Sequence, residues 1–359
     1  MRPPLNLVRR ARLAGIATTL AMVSLAGAQA AELQAYAGAV GGITVATGGG
    51  PFACATSGPT IGRGWFAGLS LPTEGFAGCS LGGGIVDKTA ASGPLTAQQS
   101  VTAPVSGGSF TGQASTRADY GRLGVAASGS MTGTTSSSTY HQAAAFARFQ
   151  DTLTLSAPGI APGTAGSIDF AFLIEGMLQS LPHAPFTQQA DVALGIRVGT
   201  GVGNAARAPW FSFMGTVVND GTPYLRGGGT GLPGSFVVAP GSFSGSAEVL
   251  STANFGFTWG EPFEVEVAFL TSLAPCCSGA SLASSFLSTA QLSGITARVG
   301  GSAIGGFTVT SASGTGYGPQ GLLPVPEPAT LALWAGGLLL LGLRLARPGL
   351  GRRAGQFSL

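Results

Sequence analysis

The stretch Phe263-Glu264-Val265-Glu266-Val267-Ala268-Phe269 decides the fold class of this chain. Large apolar residues alternate in it with glutamate or alanine, and successive side chains of a β-strand point to opposite faces of a sheet. The stretch therefore predicts a half-buried strand that carries Glu264 and Glu266 on a solvated face. Three further runs, 168–174, 192–198 and 255–259, follow the same period of two.

Turn-forming residues bound these runs. Gly, Pro, Asn and Asp favour turns because of the backbone angles that they adopt. Four such turns are predicted at Ala161-Pro162-Gly163, Gly199-Thr200-Gly201, Asn219-Asp220-Gly221 and Ala239-Pro240-Gly241. Weaker strands are predicted over 35–45, 61–71 and 101–110, and no stretch between the two ends of the chain has a convincing helical period. Many short strands separated by turns predict an all-β fold, an antiparallel β-sandwich of jelly-roll type.

The first 30 residues have the three parts of a secretory signal peptide. Arginines at positions 2, 9, 10 and 12 precede an apolar run over 13–26, and Ala28-Gln29-Ala30 then supplies a small-residue cleavage site. The pair Arg9-Arg10 raises the alternative of twin-arginine export, but the residues after it fit that motif poorly. We therefore predict general secretion, with cleavage guided by Ala28 and Ala30.

The last 35 residues also have three parts. Pro326-Glu327-Pro328 comes first, an apolar run over 329–343 follows, and arginines at 344, 347, 352 and 353 come last. As a helix, the 15 apolar residues span about 22 Å, which is short of a hydrocarbon core of about 30 Å. The arginines favour a cytoplasmic end. The run predicts a short transmembrane helix, and an ordinary C-terminal anchor is the alternative.

This order of elements resembles the PEP-CTERM sorting signal of diderm bacteria. The resemblance covers only the tail, and in it Pro326, Glu327 and Pro328 match the family motif. It implies processing by an exosortase-type membrane transpeptidase after transient insertion in the inner membrane. It also implies a final location at the cell surface or outside the cell, in bacteria that secrete polysaccharide. The arginines here are more dispersed than in that pattern, and five further residues follow Ala354.

The charge of the chain belongs mostly to its two ends. The whole chain has a formal net charge of +3, but residues 31–325 contain nine basic and 13 acidic residues, a net of −4. No basic stripe remains there to contact a phosphate backbone, so nucleic-acid binding is not expected. With charged residues at only 9% overall, the surface must consist largely of hydroxyl, amide and glycine groups.

We expect one β-sandwich over residues 31–310, because the N-terminal part has few large apolar residues for a core of its own. The Ser-, Thr- and Gly-rich run 128–138 is a candidate boundary between two domains. A flexible Gly- and Ser-rich linker is predicted over 311–324, and the sorting signal over 325–353.

All four cysteines lie between the two ends, in a compartment that permits disulfide bonds. We favour a bond between Cys54 and Cys79, which would close a loop of about 25 residues and add about 3 kcal/mol by chain-entropy arguments. Cys276 and Cys277 would then pair with each other or bond elsewhere. No C-x-x-C spacing is present, so we predict no metal site and no cofactor.

The chain contains fragments of catalytic and binding motifs, and each has a structural explanation that we prefer. Gly78-Cys79-Ser80-Leu81-Gly82 matches a nucleophile elbow, but glycines follow it where a helix is needed. Glu264 and Glu266 lie about 7 Å apart on one strand face and resemble a glycosidase pair. The residues Trp65, Phe66, Trp210, Phe211 and Trp259 are candidates for a sugar-stacking surface, although core packing explains them better. His141 lies at the start of a predicted strand, and His183 lies in a proline-rich turn.

The sequence therefore favours a non-enzymatic surface or matrix protein that associates with secreted polysaccharide or with copies of itself. The alternative is a secreted carbohydrate-binding module, or a carbohydrate-cleaving one, that uses the acidic and aromatic residues above.

Overall fold

The computed structural model describes residues 31–44, 82–133, 139–181, 188–199, 210–219, 221–227, 235–275, 277–324 and 338. These residues form an all-β fold. Its strands are β1 (Glu32–Thr44), β2 (Gly82–Ala90), β3 (Leu95–Val105), β4 (Gly108–Asp119), β5 (Arg122–Met131), β6 (Thr139–Ser156), β7 (Ala165–Ser180), β8 (Gln189–Gly199), β9 (Trp210–Val218), β10 (Tyr224–Gly227), β11 (Phe236–Ala239), β12 (Ser242–Leu250), β13 (Phe255–Thr258), β14 (Pro262–Ala274), β15 (Ser281–Val299), β16 (Ser302–Ala303), β17 (Thr308–Ser311), β18 (Tyr317–Gly318) and β19 (Gly321–Leu322).

The strands form two large antiparallel sheets, consistent with the predicted β-sandwich. Sheet A has the order β10-β9-β8-β14-β6, and the far edge of β6 is shared by β1 and β17. Strand β2 continues the sheet beyond β1, while β18 and β19 continue it beyond β17. Sheet B has the order β11-β12-β7-β15-β5-β4-β3, with β13 paired to the start of β7 and β16 to the end of β15.

Strand β14 contains the alternating stretch 263–269 and is 13 residues long. It lies inside sheet A between β8 and β6. Phe263, Val265 and Val267 point into the core between the sheets, as predicted. The opposite face is not solvated, because every residue from Phe263 to Leu273 is buried. The prediction of a half-buried strand is therefore wrong.

A single hydrophobic cluster fills the space between the sheets and includes residues on both sides of the run 128–138. At one end phenylalanines dominate: the ring of Phe286 lies 6.3 Å from that of Phe243 and 5.9 Å from that of Phe269. At the other end alanines of β1, β4 and β6 face one another, and Thr116 Oγ1 donates a 2.5 Å hydrogen bond across the sheets to the carbonyl of Tyr36. Small side chains let the N-terminal strands join this shared core.

The run 128–138 is not a linker at its start, since β5 continues to Met131. Residues 134–138 lie outside the described residues, so no domain boundary is established there. The prediction over 35–45 is confirmed by β1 as far as Thr44. The prediction over 101–110 is confirmed for 101–105 in β3 and 108–110 in β4, but it missed the turn between these strands, where Gly107 has a φ of 77°. The segment 61–71 lies outside the described residues.

Residues 308–323, named here the C-terminal strap, are folded onto the sandwich. The predicted flexible linker over 311–324 is therefore wrong. Strand β17 pairs with the end of β6, and Tyr317 is buried in the core cluster. Glycine and serine content alone indicates flexibility, but buried hydrogen bonds to Asp151 hold these residues in place.

Among the described residues, β3 is one of the two end strands of sheet B, and side chains occupy part of its outward backbone groups. Lys88 Nζ donates to the carbonyl of Thr96 at 2.8 Å, and Gln99 Nε2 donates to the carbonyl of Ser100 at 3.2 Å. Thr96, Ser100 and Pro104 are spaced by four residues, so their backbone groups point to the same edge. Pro104 offers no N–H there, which is where proline is tolerated in a sheet.

The predicted signal peptide over 1–30 lies outside the described residues, as does the sorting signal over 325–353 except for Leu338. Among the described residues, no helix is long and apolar enough to cross a membrane.

Candidate functional site

The outer face of sheet A carries a buried ionic network centred on Glu266. Register places Glu266 beside Gln150 of β6 and Arg197 of β8. Its carboxylate accepts a hydrogen bond from Arg148 Nη1 at 2.8 Å and one from Arg197 Nη1 at 3.4 Å. Arg148 also pairs with Glu32. Burial lowers the pKa of Arg197, and the neighbouring Glu266 carboxylate opposes that shift.

Glu264 lies on the same face and accepts a hydrogen bond from Gln150 Nε2 at 3.0 Å. Glu264 is 3% exposed and Glu266 is 5% exposed, so the expected solvated face is wrong for both residues. Cross-strand partners from β6 and β8, about 70 to 120 positions away in sequence, compensate the burial of these charges. Their contacts describe a structural ion-pair network rather than a carboxylate pair open to a sugar.

Asp191 is a third buried carboxylate of this face. Gln189 Nε2 donates to both of its oxygens, at 3.1 and 2.9 Å, and Thr216 Oγ1 donates to Oδ1 at 2.8 Å. Burial raises the pKa of Asp191 to about 7, although these hydrogen bonds oppose the shift. The Asp191 carboxyl therefore titrates near neutral pH.

His141 lies in the core between the sheets, with its ring centroid 4.9 Å from that of Phe110. Burial lowers the pKa of His141 to about 4, so the imidazole is neutral at physiological pH. Its surroundings are Phe110 and the small residues Gly41 and Ala103. This is the environment of a packed core histidine.

The candidate sugar-stacking residues do not come together in the part of the chain that the structure describes. Trp259 is buried between Phe257 and Phe307, with ring centroids 5.2 and 6.3 Å away, which confirms core packing for this residue. Trp210 is 37% exposed at the start of β9. Trp65, Phe66 and the side chain of Phe211 lie outside the described residues.

Most of the other predicted site residues cannot be placed. Those outside the described residues are Ala28, Ala30, Cys54, Cys79, Ser80, His183, Pro326, Glu327 and Pro328. Cys277 is disulfide-bonded, and the chain's three other cysteines lie outside the described residues. In the described ranges, no group of three or more His, Cys, Asp or Glu side chains could hold a metal ion.

The outer face of sheet B presents a different surface, formed by β3, β4 and β5. Alternate residues of these strands point away from the core and carry mainly hydroxyl and amide groups. We call this surface the hydroxyl face; its residues are Thr96, Gln98, Ser100, Thr102, Ser109, Thr111, Gln113, Ser115, Ala126, Ser128 and Ser130. None of these side chains is charged. Arg117 and Arg122 are exposed at one end of the face.

No family model, curated protein or solved structure matches this chain.

The two outer faces therefore differ in what they offer to a ligand. On the face of sheet A, the carboxylates of Asp191, Glu264 and Glu266 are buried. Glu266 is paired there with Arg148 and Arg197. The hydroxyl face is accessible and offers hydrogen-bond donors and acceptors at the regular spacing of a sheet, with strands about 4.8 Å apart. Regularly spaced donors and acceptors of this kind suit the binding of an extended polar ligand.

The hydroxyl face was not predicted, although the sequence contains a signal for it. In Thr96-Ala97-Gln98 and Val101-Thr102-Ala103, polar residues alternate with small apolar ones. This period of two is the same as that of Phe263–Phe269, but alanine replaces phenylalanine on the buried side.

Proposed function

We propose that the chain is a non-enzymatic, exported protein of the cell surface or extracellular matrix that associates with secreted polysaccharide. The proposal includes a jelly-roll-like sandwich, an N-terminal signal peptide and a short C-terminal transmembrane helix. An exosortase-type transpeptidase would process the tail at Pro326-Glu327-Pro328 after transient insertion in the inner membrane.

The observation that supports polysaccharide association is the hydroxyl face. Its exposed Ser, Thr and Gln side chains can exchange hydrogen bonds with water for hydrogen bonds with sugar hydroxyls. Each exchange has a small net free energy, so a surface of this kind gains affinity from many contacts along a polymer. Charge repulsion is absent within the face, which therefore accepts a neutral chain.

A second candidate is a carbohydrate-binding module with one defined sugar ligand. The exposed Arg117 favours it, because a guanidinium group can bind a sugar carboxylate in a bidentate way. Arg122 is exposed as well, but it lies opposite Asp119 in the sheet. Such a module would be saturated and competed by a short acidic oligosaccharide. A matrix protein of the first kind would require the polymer.

The test is affinity gel electrophoresis of the purified protein in gels that contain the polysaccharide secreted by the producing cells. Gln98→Glu and Gln113→Glu introduce charges into the hydroxyl face and are expected to weaken retardation several-fold. Gln179→Glu makes the same change on the outer face of β7, beyond β15, and serves as the matched control. Equal retardation of all three variants and the wild type would contradict the proposal.

A further inference from the structure

The C-terminal strap is attached to sheet A through the buried carboxylate of Asp151. Asp151 is 1% exposed on β6. Its oxygens accept hydrogen bonds from the backbone N–H of Ser313 at 3.0 Å, from Ser313 Oγ at 2.5 Å and from Tyr317 Oη at 3.1 Å. Ala312 N–H also donates to the carbonyl of Thr152 at 2.9 Å.

The strap then crosses to sheet B. The N–H of Ile295 on β15 donates to the carbonyl of Pro319 at 3.1 Å. Leu322 packs against the turn between β4 and β5, where a Cβ on Gly121 would lie 2.6 Å from a Leu322 methyl group. The N–H of Leu323 donates to the carbonyl of Gly316 at 2.9 Å. The strap is therefore held on both sheets as far as Leu322, and Leu323 is bonded back to the strap itself.

Only Pro324 and Val325 separate the strap from the motif Pro326-Glu327-Pro328. Two extended residues reach at most about 7 Å. Proteases act on chain segments that are locally free of folded structure. A motif so close to a folded sandwich can enter a membrane enzyme in only two ways. Either the active site of the enzyme has room for the sandwich beside the motif, or the strap opens and lengthens the free chain.

We propose that docking of the C-terminal strap restrains processing of the tail, and that the strap must detach from Asp151 before the motif enters the processing enzyme. This inference rests on the proposed sorting function. The cut breaks one peptide bond; its carbonyl carbon passes to water or to an acceptor amine, and the new amine of the released tail takes a proton. The rate of the cut then follows the fraction of molecules in which the strap is open.

The experiment is a pulse-chase measurement, in the producing cells, of the half-time for conversion of the full chain to the shortened form, identified by mass. Tyr317→Phe removes one strap hydrogen bond and is expected to shorten the half-time about fivefold, from a net bond strength of about 1 kcal/mol. The double variant Ser313→Ala/Tyr317→Phe should act more strongly. Thr116→Val is the matched control, because it removes a buried hydroxyl that donates to the carbonyl of Tyr36 on β1 and not to the strap.

A ten-residue Gly/Ser insertion after Pro324 supplies the decisive comparison. It should speed processing of the wild-type strap and abolish the difference between the wild type and Tyr317→Phe. Hydrogen exchange of the purified full chains should show faster exchange over 308–323 in the strap variants. The proposal is overturned if the insertion leaves the half-time unchanged, or if the double variant leaves exchange over 308–323 unchanged. If no shortened form appears even with the insertion, the proposed sorting function fails, and the strap proposal fails with it.

Discussion

Replacing Asp191 with asparagine should change how the stability of the protein depends on pH. The Asp191 carboxyl is 1% exposed, and burial raises its pKa to about 7 from an ordinary value of 3.8. Between these two values the folded chain holds a proton that the unfolded chain has lost. The free energy of unfolding therefore falls as pH rises through this window. An asparagine side chain carries no charge at any pH, so the Asp191→Asn variant lacks this contribution.

The magnitude follows from the difference of about three pKa units. At about 1.4 kcal/mol per unit, the ionised Asp191 lowers stability by about 4 kcal/mol above pH 7. Of the interval of about three pH units between the two pKa values, about two fall between pH 5 and pH 7. The stability of Asp191→Asn relative to the wild type should therefore increase by about 3 kcal/mol between pH 5 and pH 8.

Urea unfolding of the full chain at several pH values measures this difference. Asp87→Asn is the matched control, since Gln34 Nε2 donates to both oxygens of the exposed Asp87 at 3.0 and 3.3 Å. This variant loses the same pair of bonds at an exposed position, so its comparison with Asp191→Asn isolates the effect of burial. If the Asp191→Asn difference is constant between pH 5 and pH 8, burial does not hold the Asp191 carboxyl protonated.

Three other predictions concern buried polar groups. In an NMR titration the His141 imidazole should stay neutral until pH falls to about 4, because burial lowers its pKa. The free energy of unfolding should be unaffected by His141 above pH 6.5 and should fall as pH decreases from 6.5 to 4. Protonation of His141 near pH 6.5 in the folded protein would contradict this. Thr271→Val leaves the buried hydroxyl of Ser284, 2.6 Å away, without this partner. Urea unfolding should show a free energy of unfolding that is lower by about 1–3 kcal/mol. The double variant Thr271→Val/Ser284→Ala should recover most of this loss. Glu266→Gln leaves the guanidinium groups of Arg148 and Arg197 without their common carboxylate, and should lower the free energy of unfolding by about 3–5 kcal/mol. Polysaccharide retardation of this variant should stay unchanged. A stable variant that loses retardation would instead place Glu266 in the binding site.

The strands could be predicted from the sequence where large and small residues alternate. The runs around Phe170 in β7, Ile196 in β8 and Val265 in β14 needed no tertiary information, since a period of two is a local property.

Burial on the second face could not be predicted in the same way. Glu266 is a surface residue by its chemistry, and only the fold brings Arg148 and Arg197 beside it. The same limit applies to the C-terminal strap, whose composition is that of a linker. Its order depends on Asp151, which is more than 160 positions away. Contacts between distant residues, rather than local preference, explain both errors.

The side chains at the edge of β3 have a consequence for the extracellular location proposed above. Molecules held there at high local concentration meet repeatedly, without ATP-driven chaperones to separate them. An open strand edge would let one copy template the next into fibres. Lys88, Gln99 and Pro104 each remove one backbone group from that edge, which reduces its capacity to pair with a neighbouring copy.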